Sequence, residues 1–492
     1  MAAESRGVAW AGAVNLLGGA TGSLLTLVLA AVVGRQLGTE GAGTYFLVVA
    51  AFMIVANVAE LGADTGLVRF VSAARATGRT ADVPALARYA VVPVAAVGVL
   101  VVAATAVAAP FVDVHGLPPL FLVVAAACAV LLSMTAVMLA ITRGLGDVLT
   151  YPVLQNLALP LLRVLGVVVA VSAGAGVTWA LGAWMAPVPL VLVLSAAVAL
   201  RLVVRHAGSW RPPHDEGTVS RRAFWGFSAA RGVSAAVEIL LEWADVLIVG
   251  VLTSPAEAGV YAVVTRCVRA GEVVQQAARI AVGPQISSAL ARRAHDEARQ
   301  IYGLVTAAMI WLAWPFFLML AIFGDTVLDV FGPGFDDGAV SLAVLAGAMA
   351  FSTAAGTVQT ILLMGGRSSW QLADKTFALV LNLVLNLALV PLWGIEGAAV
   401  AWAVTIVLDT LVVVWQVQRL MGIRPAGRHL VVAAATSLGV VGVIGVGARL
   451  LLGSSMPVFV LTLVVAALAY LGVSWRLRSA LGLSDLLRLR TP

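Results

Sequence analysis

Runs of about twenty apolar residues recur from one end of the chain to the other, separated by short stretches rich in Gly, Pro, Asp and Arg. Each run is long enough to cross a hydrocarbon core about 30 Å thick. Helix is the spanning form, because an open strand cannot satisfy its backbone in lipid. The pattern predicts fourteen spans, near residues 8–33, 42–63, 86–109, 118–142, 151–172, 177–200, 224–252, 257–281, 301–323, 339–364, 371–391, 395–418, 429–452 and 455–475. The first follows a short polar segment and is far longer than the apolar core of a signal peptide, so it reads as an uncleaved span.

The loops between these spans alternate in charge. Twenty-three Arg and Lys residues, from Arg6 through Arg69, Arg75, Arg79, Arg143 and Arg201 to Arg490, fall on one side. Arg35 and Arg449 fall on the other. The positive-inside rule then places both termini and the basic loops in the cytoplasm. A count wrong by one span would scramble the alternation. The longest external loop, FGDTVLDVFGPGFDD, is about fifteen residues and leaves no room for an extracytoplasmic catalytic domain.

The stretch VGRQLGTEGAGTY, Val33 to Tyr45, places glycines and an arginine between two apolar runs. It reads either as a phosphate cradle or as a tight turn. A second copy decides for the turn: VGVLTSPAEAGVY, Val249 to Tyr261, matches it at Val, Gly, Ala, Gly and Tyr with a constant offset of 216. The copy lacks Arg35 and most of the glycines, which a phosphate loop needs and a turn does not. GVTWALGAW from Gly176 and GIEGAAVAW from Gly394 match at an offset of 218. The two windows predict a duplication of six spans. An even number of spans gives both copies the same orientation, a parallel repeat. The expected organisation is an N-terminal six-helix lobe (1–205), a cytoplasmic linker (206–223), a C-terminal six-helix lobe (224–422), and two added spans with a cytoplasmic tail (423–492).

Composition agrees with this class. The chain is 61% hydrophobic and 11% charged over 492 residues, with a mean hydropathy of +1.03. Its net charge of +6 follows from topology, and no nucleic-acid-binding motif accompanies it. Cys128 and Cys267 form no CxxC, the five histidines lie in predicted loops, and no HExxH occurs, so no metal site is expected. No Walker A motif is present, so no ATP chemistry is expected within the chain. Lys375 is the single lysine among thirty basic residues, which points to a GC-rich bacterial genome.

Four stretches resemble one superfamily: RQLGTEGAGTYFLV, LGADTGLVRFVSAARATGR, ADVLIVGVLTSPAEAGVYAVVTR and NLVLNLALVPLWGIEGAAVAWAV. With the duplicated six-plus-six pattern and two added spans, they resemble the multidrug/oligosaccharidyl-lipid/polysaccharide exporters, and within them the polysaccharide-flippase branch. The resemblance covers most of residues 1–422. It implies an all-α polytopic membrane protein whose two lobes open alternately to either side. It also implies a central cavity lined mainly by spans 1, 2, 7 and 8, and a lipid-linked sugar as substrate. Membrane lipids and polysaccharide-assembly proteins would be its partners. No cofactor and no catalysis are expected, and coupling to H⁺ or Na⁺ stays open. The chain is expected to be a monomer in a bacterial cytoplasmic membrane.

Ionisable groups at membrane depth usually face a cavity or a partner. On span 7, Arg231, Glu238, Glu242 and Asp245 are spaced 7, 4 and 3 residues apart, within a stripe of roughly 60° on a helix. On span 8, Arg266, Arg269, Glu272, Gln276 and Arg279 form a broader stripe. Glu242 and Arg266 lie about equally far from the intervening turn, as do Glu238 and Arg269. One reading is ion pairing between neighbouring helices. The other is cavity lining, with Arg266, Arg269 and Arg231 taking a diphosphate, which guanidinium donors fit, and Glu238, Glu242, Asp245 and Glu272 exchanging an ion. Arg163, mid-span 5, has no evident acidic partner at its depth; it is a substrate contact or snorkels between helices. Asn15 and Asn57 are cavity candidates or packing hydrogen bonds. Glu60 and Asp64 lie near the cytoplasmic mouth, where Arg69 touches a headgroup or enforces topology. Asn382 and Asn386 read as structural; Asp374, Lys375 and Asp409 are weaker candidates.

Two rival functions remain. A cation-coupled multidrug exporter of the same superfamily shares the fold and uses membrane carboxylates, but span 1 carries no acid and span 8 is rich in arginine. A membrane glycosyltransferase or polymerase would need longer external loops. A lipid II flippase is a narrower variant of the first reading, and nothing in the sequence selects it.

Overall fold

Backbone groups in hydrocarbon must find partners within their own segment. The described residues are accordingly helical, with no strand among them. The computed structural model describes residues 2–114, 116–210, 219–292, 294–364, 368–423 and 427–482, and their side chains apart from residues 2–17, 280, 281, 284, 290, 291 and 368.

The first helix, α1 (Ala2–Ala59), is two arms meeting at Gly38. A short α2 (Ala63–Ala76) precedes α3 (Val83–Ala108) and α4 (Pro119–Gly144). A π turn over Pro152–Ala158 leads into α5 (Leu159–Ser172), followed by α6 (Val177–Met185), α7 (Pro187–Ala207) and α8 (Arg221–Leu252). Then come α9 (Pro255–Arg269), α10 (Glu272–Ala291), α11 (His295–Ile322), the short α12 (Gly324–Leu328), α13 (Ala339–Ala354) and α14 (Val358–Met364). The last group is α15 (Ser368–Met421), two arms meeting at Gly394, then α16 (Arg428–Thr436), α17 (Val443–Leu452) and α18 (Met456–Arg476). Ten described segments are long and apolar enough to cross a membrane; two of these, at 42 and 53 residues, are double-armed. Adding α8 and the α9–α10 pair, whose polar content sets them apart, gives each of the fourteen expected spans a helical counterpart.

The repeat is written in the backbone. Gly38 (φ 68°, ψ −176°) and Ser254 (φ −149°, ψ 159°) stand 216 residues apart, and each leaves the helical region just before a span begins. Gly176 (φ −74°, ψ −175°) and Gly394 (φ 55°, ψ −133°) do the same 218 residues apart. Positive φ makes glycine the fitting residue at 38 and 394. At 254 a side chain does the work instead: the Glu257 backbone N–H donates to Ser254 Oγ at 3.2 Å, an N-cap. Pro391 contributes to the break in α15 by removing a donor. Beyond that break the chain folds back so tightly that a Cβ on Gly397 would lie 2.3 Å from the Leu389 carbonyl oxygen.

Two expected spans are interrupted. Span 8 breaks at Ala270–Gly271, where a Cβ on Gly271 would lie 2.5 Å from the Phe317 ring. Span 10 breaks between α13 and α14, with Gly356 at φ 62° and the Tyr302 hydroxyl donating to the Ala355 carbonyl at 2.5 Å. Local polar partners of this kind are what a break at membrane depth requires.

The chain divides into two units, Met1–Leu247 and Ile248–Pro492, with the boundary inside α8. The first packs Leu67, Val71, Leu86, Val94, Ile141 and Phe224 into one core. In the second, Ile286, Tyr302, Ile361, Leu362 and Val417 do so. The last span, α18, is tied to α11 by polar contacts: Trp311 Nε1 donates to Ser474 Oγ at 2.8 Å, and the Tyr470 hydroxyl donates to the Trp311 carbonyl at 2.9 Å. Between apolar helices in lipid, such bonds and close packing supply the association.

Candidate substrate and ion sites

In the first unit the polar stripe of α8 is split. Arg231 Nη1 reaches Glu238 Oε1 at 3.5 Å, two turns along the same helix, with side chains 41% and 47% exposed. Glu242 is also exposed, whereas Asp245 is buried at 4%. Charges this open at membrane depth are tolerated against water or substrate and expensive against acyl chains.

The helix carrying them is seated by backbone-to-backbone packing. Span 2 ends at Leu61, whose φ of 55° is the one positive value outside glycine among the described residues. Gly62 follows at φ 72°, and a Cβ there would lie 2.3 Å from the Ser228 carbonyl oxygen and 2.4 Å from the Gly232 nitrogen. Trp225 Nε1 donates to the Tyr89 carbonyl at 3.1 Å. Arg69 lies over Phe227, its guanidinium carbon 4.2 Å from the ring centre. Arg143 reaches Asp64 at 4.0 Å and lies 4.3 Å over the Tyr151 ring, and both Arg143 and Asp64 are charged neighbours of Glu60. In the sequence Arg143 counts only toward topology, and its contacts appear in the fold. Asn57 has a buried Oδ1 with no hydrogen-bond partner. The side chain of Asn15 lies outside the described residues.

Arg163 on α5 meets an aromatic ring rather than an acid. Its guanidinium carbon stands 3.8 Å from the centre of Trp184, and its Nε donates to the Trp184 carbonyl at 3.3 Å. Its Nη2 is buried without a hydrogen-bond partner.

In the second unit Arg266 lies in the last turn of α9, where its Nη1 donates to the Ala262 carbonyl at 2.7 Å. Arg269 ends α9 and Glu272 begins α10, so the two flank the Gly271 break. A small, partly open pocket is lined by Gln275, Arg279, Ser352, Thr357, Gln359 and Thr410. Beside it, Lys375 Nζ meets Asp409 Oδ2 at 2.8 Å, and Gln359 Nε2 donates to the same oxygen at 3.1 Å. Gln416 Nε2 donates to Asp374 Oδ1 at 2.7 Å. Neither glutamine stands out in the sequence; for Gln416 the signal is its spacing of seven from Asp409, which puts both on one helix face. Asn382 and Asn386 are fully buried, and Asn386 Nδ2 donates to the Asn382 carbonyl at 2.9 Å. Among the described residues no three His, Cys, Asp or Glu side chains are grouped to hold a metal ion.

Fold and site together define a polytopic helical membrane protein with ionisable groups set into its spans. The chain matches the family described as polysaccharide biosynthesis protein over residues 9–290, more than half its length, and belongs to that family. Two relatives from Haloferax volcanii are similar to it. “Probable low-salt glycan biosynthesis flippase Agl15” is 26% identical over 198 residues, covering 39% of this chain and 40% of the relative. “Probable flippase AglR” is 27% identical over 207 residues, covering 40% of this chain and 43% of the relative. The chain thus spans about two fifths of the length of the curated relatives it matches. Among solved structures it is similar to the lipid II flippase MurJ in an inward closed conformation, with a TM-score of 0.70 at 11% identity over 93% of this chain and 97% of that one. It is also similar to an inward-facing multidrug resistance MATE family transporter, with a TM-score of 0.66 at 16% identity over 82% of this chain and 95% of that one. Identities this low show the fold alone.

Proposed function

We propose that this protein is a flippase that carries a lipid-linked oligosaccharide, held on a prenyl diphosphate, across a bacterial cytoplasmic membrane by alternating access. The observation that carries the reading is the family match over residues 9–290, joined to two aligned relatives whose names are those of flippases. The chemistry within the chain supports it. Arginines lie inside the spans at positions 163, 231, 266 and 269, and guanidinium forks fit the oxygens of a diphosphate. The prenyl tail stays in lipid while the headgroup crosses, so no bond is made or broken and no catalytic residue is needed.

The test is movement of a fluorescent prenyl-diphosphate oligosaccharide between the leaflets of liposomes holding the purified protein, run beside uptake of a cationic dye. Lipid movement without dye movement is expected. Arg266→Ala and Arg269→Ala should slow it, and unchanged flipping in both would remove the phosphate contact from the proposal. The second reading, a cation-coupled drug exporter, draws on the likeness to the multidrug transporter fold and on the buried Asp245. Dye movement alone would establish it in place of the first.

A further inference from the structure

Near the start and the end of α15, four polar side chains gather in a way that the pairing of charges does not complete. Asp374, Asp409 and Gln416 are all at least nine-tenths buried, at 8%, 6% and 4% exposure. Asp409 takes both available donors, Lys375 Nζ and Gln359 Nε2, on one oxygen. Asp374 receives the Gln416 amide on Oδ1. Three acceptors then remain buried with no donor: Asp409 Oδ1, Asp374 Oδ2 and Gln416 Oε1. Among the described residues, the charged groups acting on Asp374 are Asp409 and Lys375, with Arg279 of α10 lining the adjoining pocket; of the helices packed against α15, α13 and α14 carry no charged residue and α9 carries Glu257, Arg266 and Arg269. With both acids ionised, the two aspartates and Lys375 sum to one net negative charge.

A carboxylic acid and a primary amide can form a cyclic pair, each giving one donor and one acceptor. Half of that ring exists between Gln416 and Asp374, and the two atoms that would close it, Asp374 Oδ2 and Gln416 Oε1, are both acceptors without a donor. We propose that Asp374 is a proton-binding site, with Gln416 as its amide partner and Asp409–Lys375 as the neighbouring pair that sets the charge. One proton on Asp374 Oδ2 supplies the donor that Gln416 Oε1 lacks, and it brings the three charges to zero. Nothing else is transferred. Loading and release of this proton would then drive the transport cycle, a step that rests on the flippase reading above.

The experiment is infrared difference spectroscopy of the purified full-length protein in liposomes during a pH titration, in Na⁺ and in choline buffers. The expected result is a protonated-carboxyl band that titrates, that disappears in Asp374→Asn, and that persists in Asp409→Asn. In Gln416→Leu the band should move in frequency, because the acid loses its hydrogen-bond partner. The same spectrum in wild type and Asp374→Asn overturns the proposal, as does a band that Na⁺ abolishes, which would make the site a sodium site. Asn keeps the shape and the acceptor for Gln416, and a wild-type unfolding midpoint for that variant excludes misfolding as the reason for band loss. Flipping is measured on the same liposomes with and without a pH gradient. A gradient-driven rate in wild type that is lost in Asp374→Asn supports the coupling, and a retained gradient response overturns it. Absence of flipping in wild type would overturn the flippase reading and leave the infrared result standing by itself.

Discussion

Arg163 stacks on Trp184, its guanidinium carbon 3.8 Å from the ring centre, and donates to that residue's own carbonyl at 3.3 Å. A half-buried cation over an indole face gains about 1–2 kcal/mol. Trp184→Leu should therefore lower the thermal unfolding midpoint in detergent, and Trp184→Phe should lower it less. Arg163→Met should cost less than Trp184→Leu, because it leaves no buried charge behind. Equal midpoints for the Leu and Phe variants would mean that the ring contributes area and nothing more.

Gly62 tests the seat of α8. A Cβ there would lie 2.3 Å from a backbone oxygen, and φ is 72°. Overpacking of this kind costs about 1–3 kcal/mol, so Gly62→Ala should reduce the monodisperse yield on size-exclusion chromatography. Gly182, with nothing within 4 Å of a Cβ, is the control. Gly182→Ala should be neutral or stabilise by roughly 0.5–1 kcal/mol through helix propensity.

The C-terminal end of α17 carries a forked pair. Arg449 Nη1 and Nη2 reach Asp325 Oδ1 and Oδ2 at 2.8 and 2.9 Å, and Arg449 also donates to the Ile322 carbonyl. Burial raises the Asp325 pKa, but the Arg449 hydrogen bonds and charge and the Thr326 backbone N–H outweigh it, so the carboxyl ends below its ordinary value of 3.8. A depressed folded pKa contributes stability that is complete above the unfolded value and is lost as pH falls through the folded one. The acid limb of a stability–pH curve should therefore flatten below the ordinary carboxylate range in Asp325→Asn. The pair is partly open, so the loss at neutral pH should be about 1 kcal/mol.

Arg231 and Glu238 should separate function from stability. Open pairs are worth about 0–1 kcal/mol, so a double-mutant cycle on unfolding should show a coupling in that range. If the pair faces substrate, Arg231→Gln should lower flipping several-fold while the unfolding midpoint stays near wild type. A large fall in midpoint would return the pair to a structural role.

What could be read ahead of the structure follows from where the information lies. The spans are set by run length, and the duplication shows because Val33, Gly34, Ala42, Gly43 and Tyr45 recur 216 residues on, around the break that Gly38 and Ser254 each mark. Facing is another matter. These helices are apolar on most sides, so no moment tells which side of α6 meets Arg163, and Trp184 as its partner was not legible. Asp325 and Arg449 are 124 residues apart, and no local pattern joins them. The breaks at Gly271 and Gly356 were also hidden, because glycine is tolerated within membrane helices and marks a break only where a ring or a hydroxyl presses against it.

Lys375 has one more consequence. It is the chain's single lysine, 22% exposed and held by Asp409 at 2.8 Å. An amine-selective reagent therefore meets one side chain in this sequence, together with the α-amino terminus. That side chain is reactive to the extent that its carboxylate partner lets go. The protein thus carries its own chemical reporter, a nucleophile whose acylation rate, read by intact mass, follows the state of the Asp409 pair without any residue being added to the sequence.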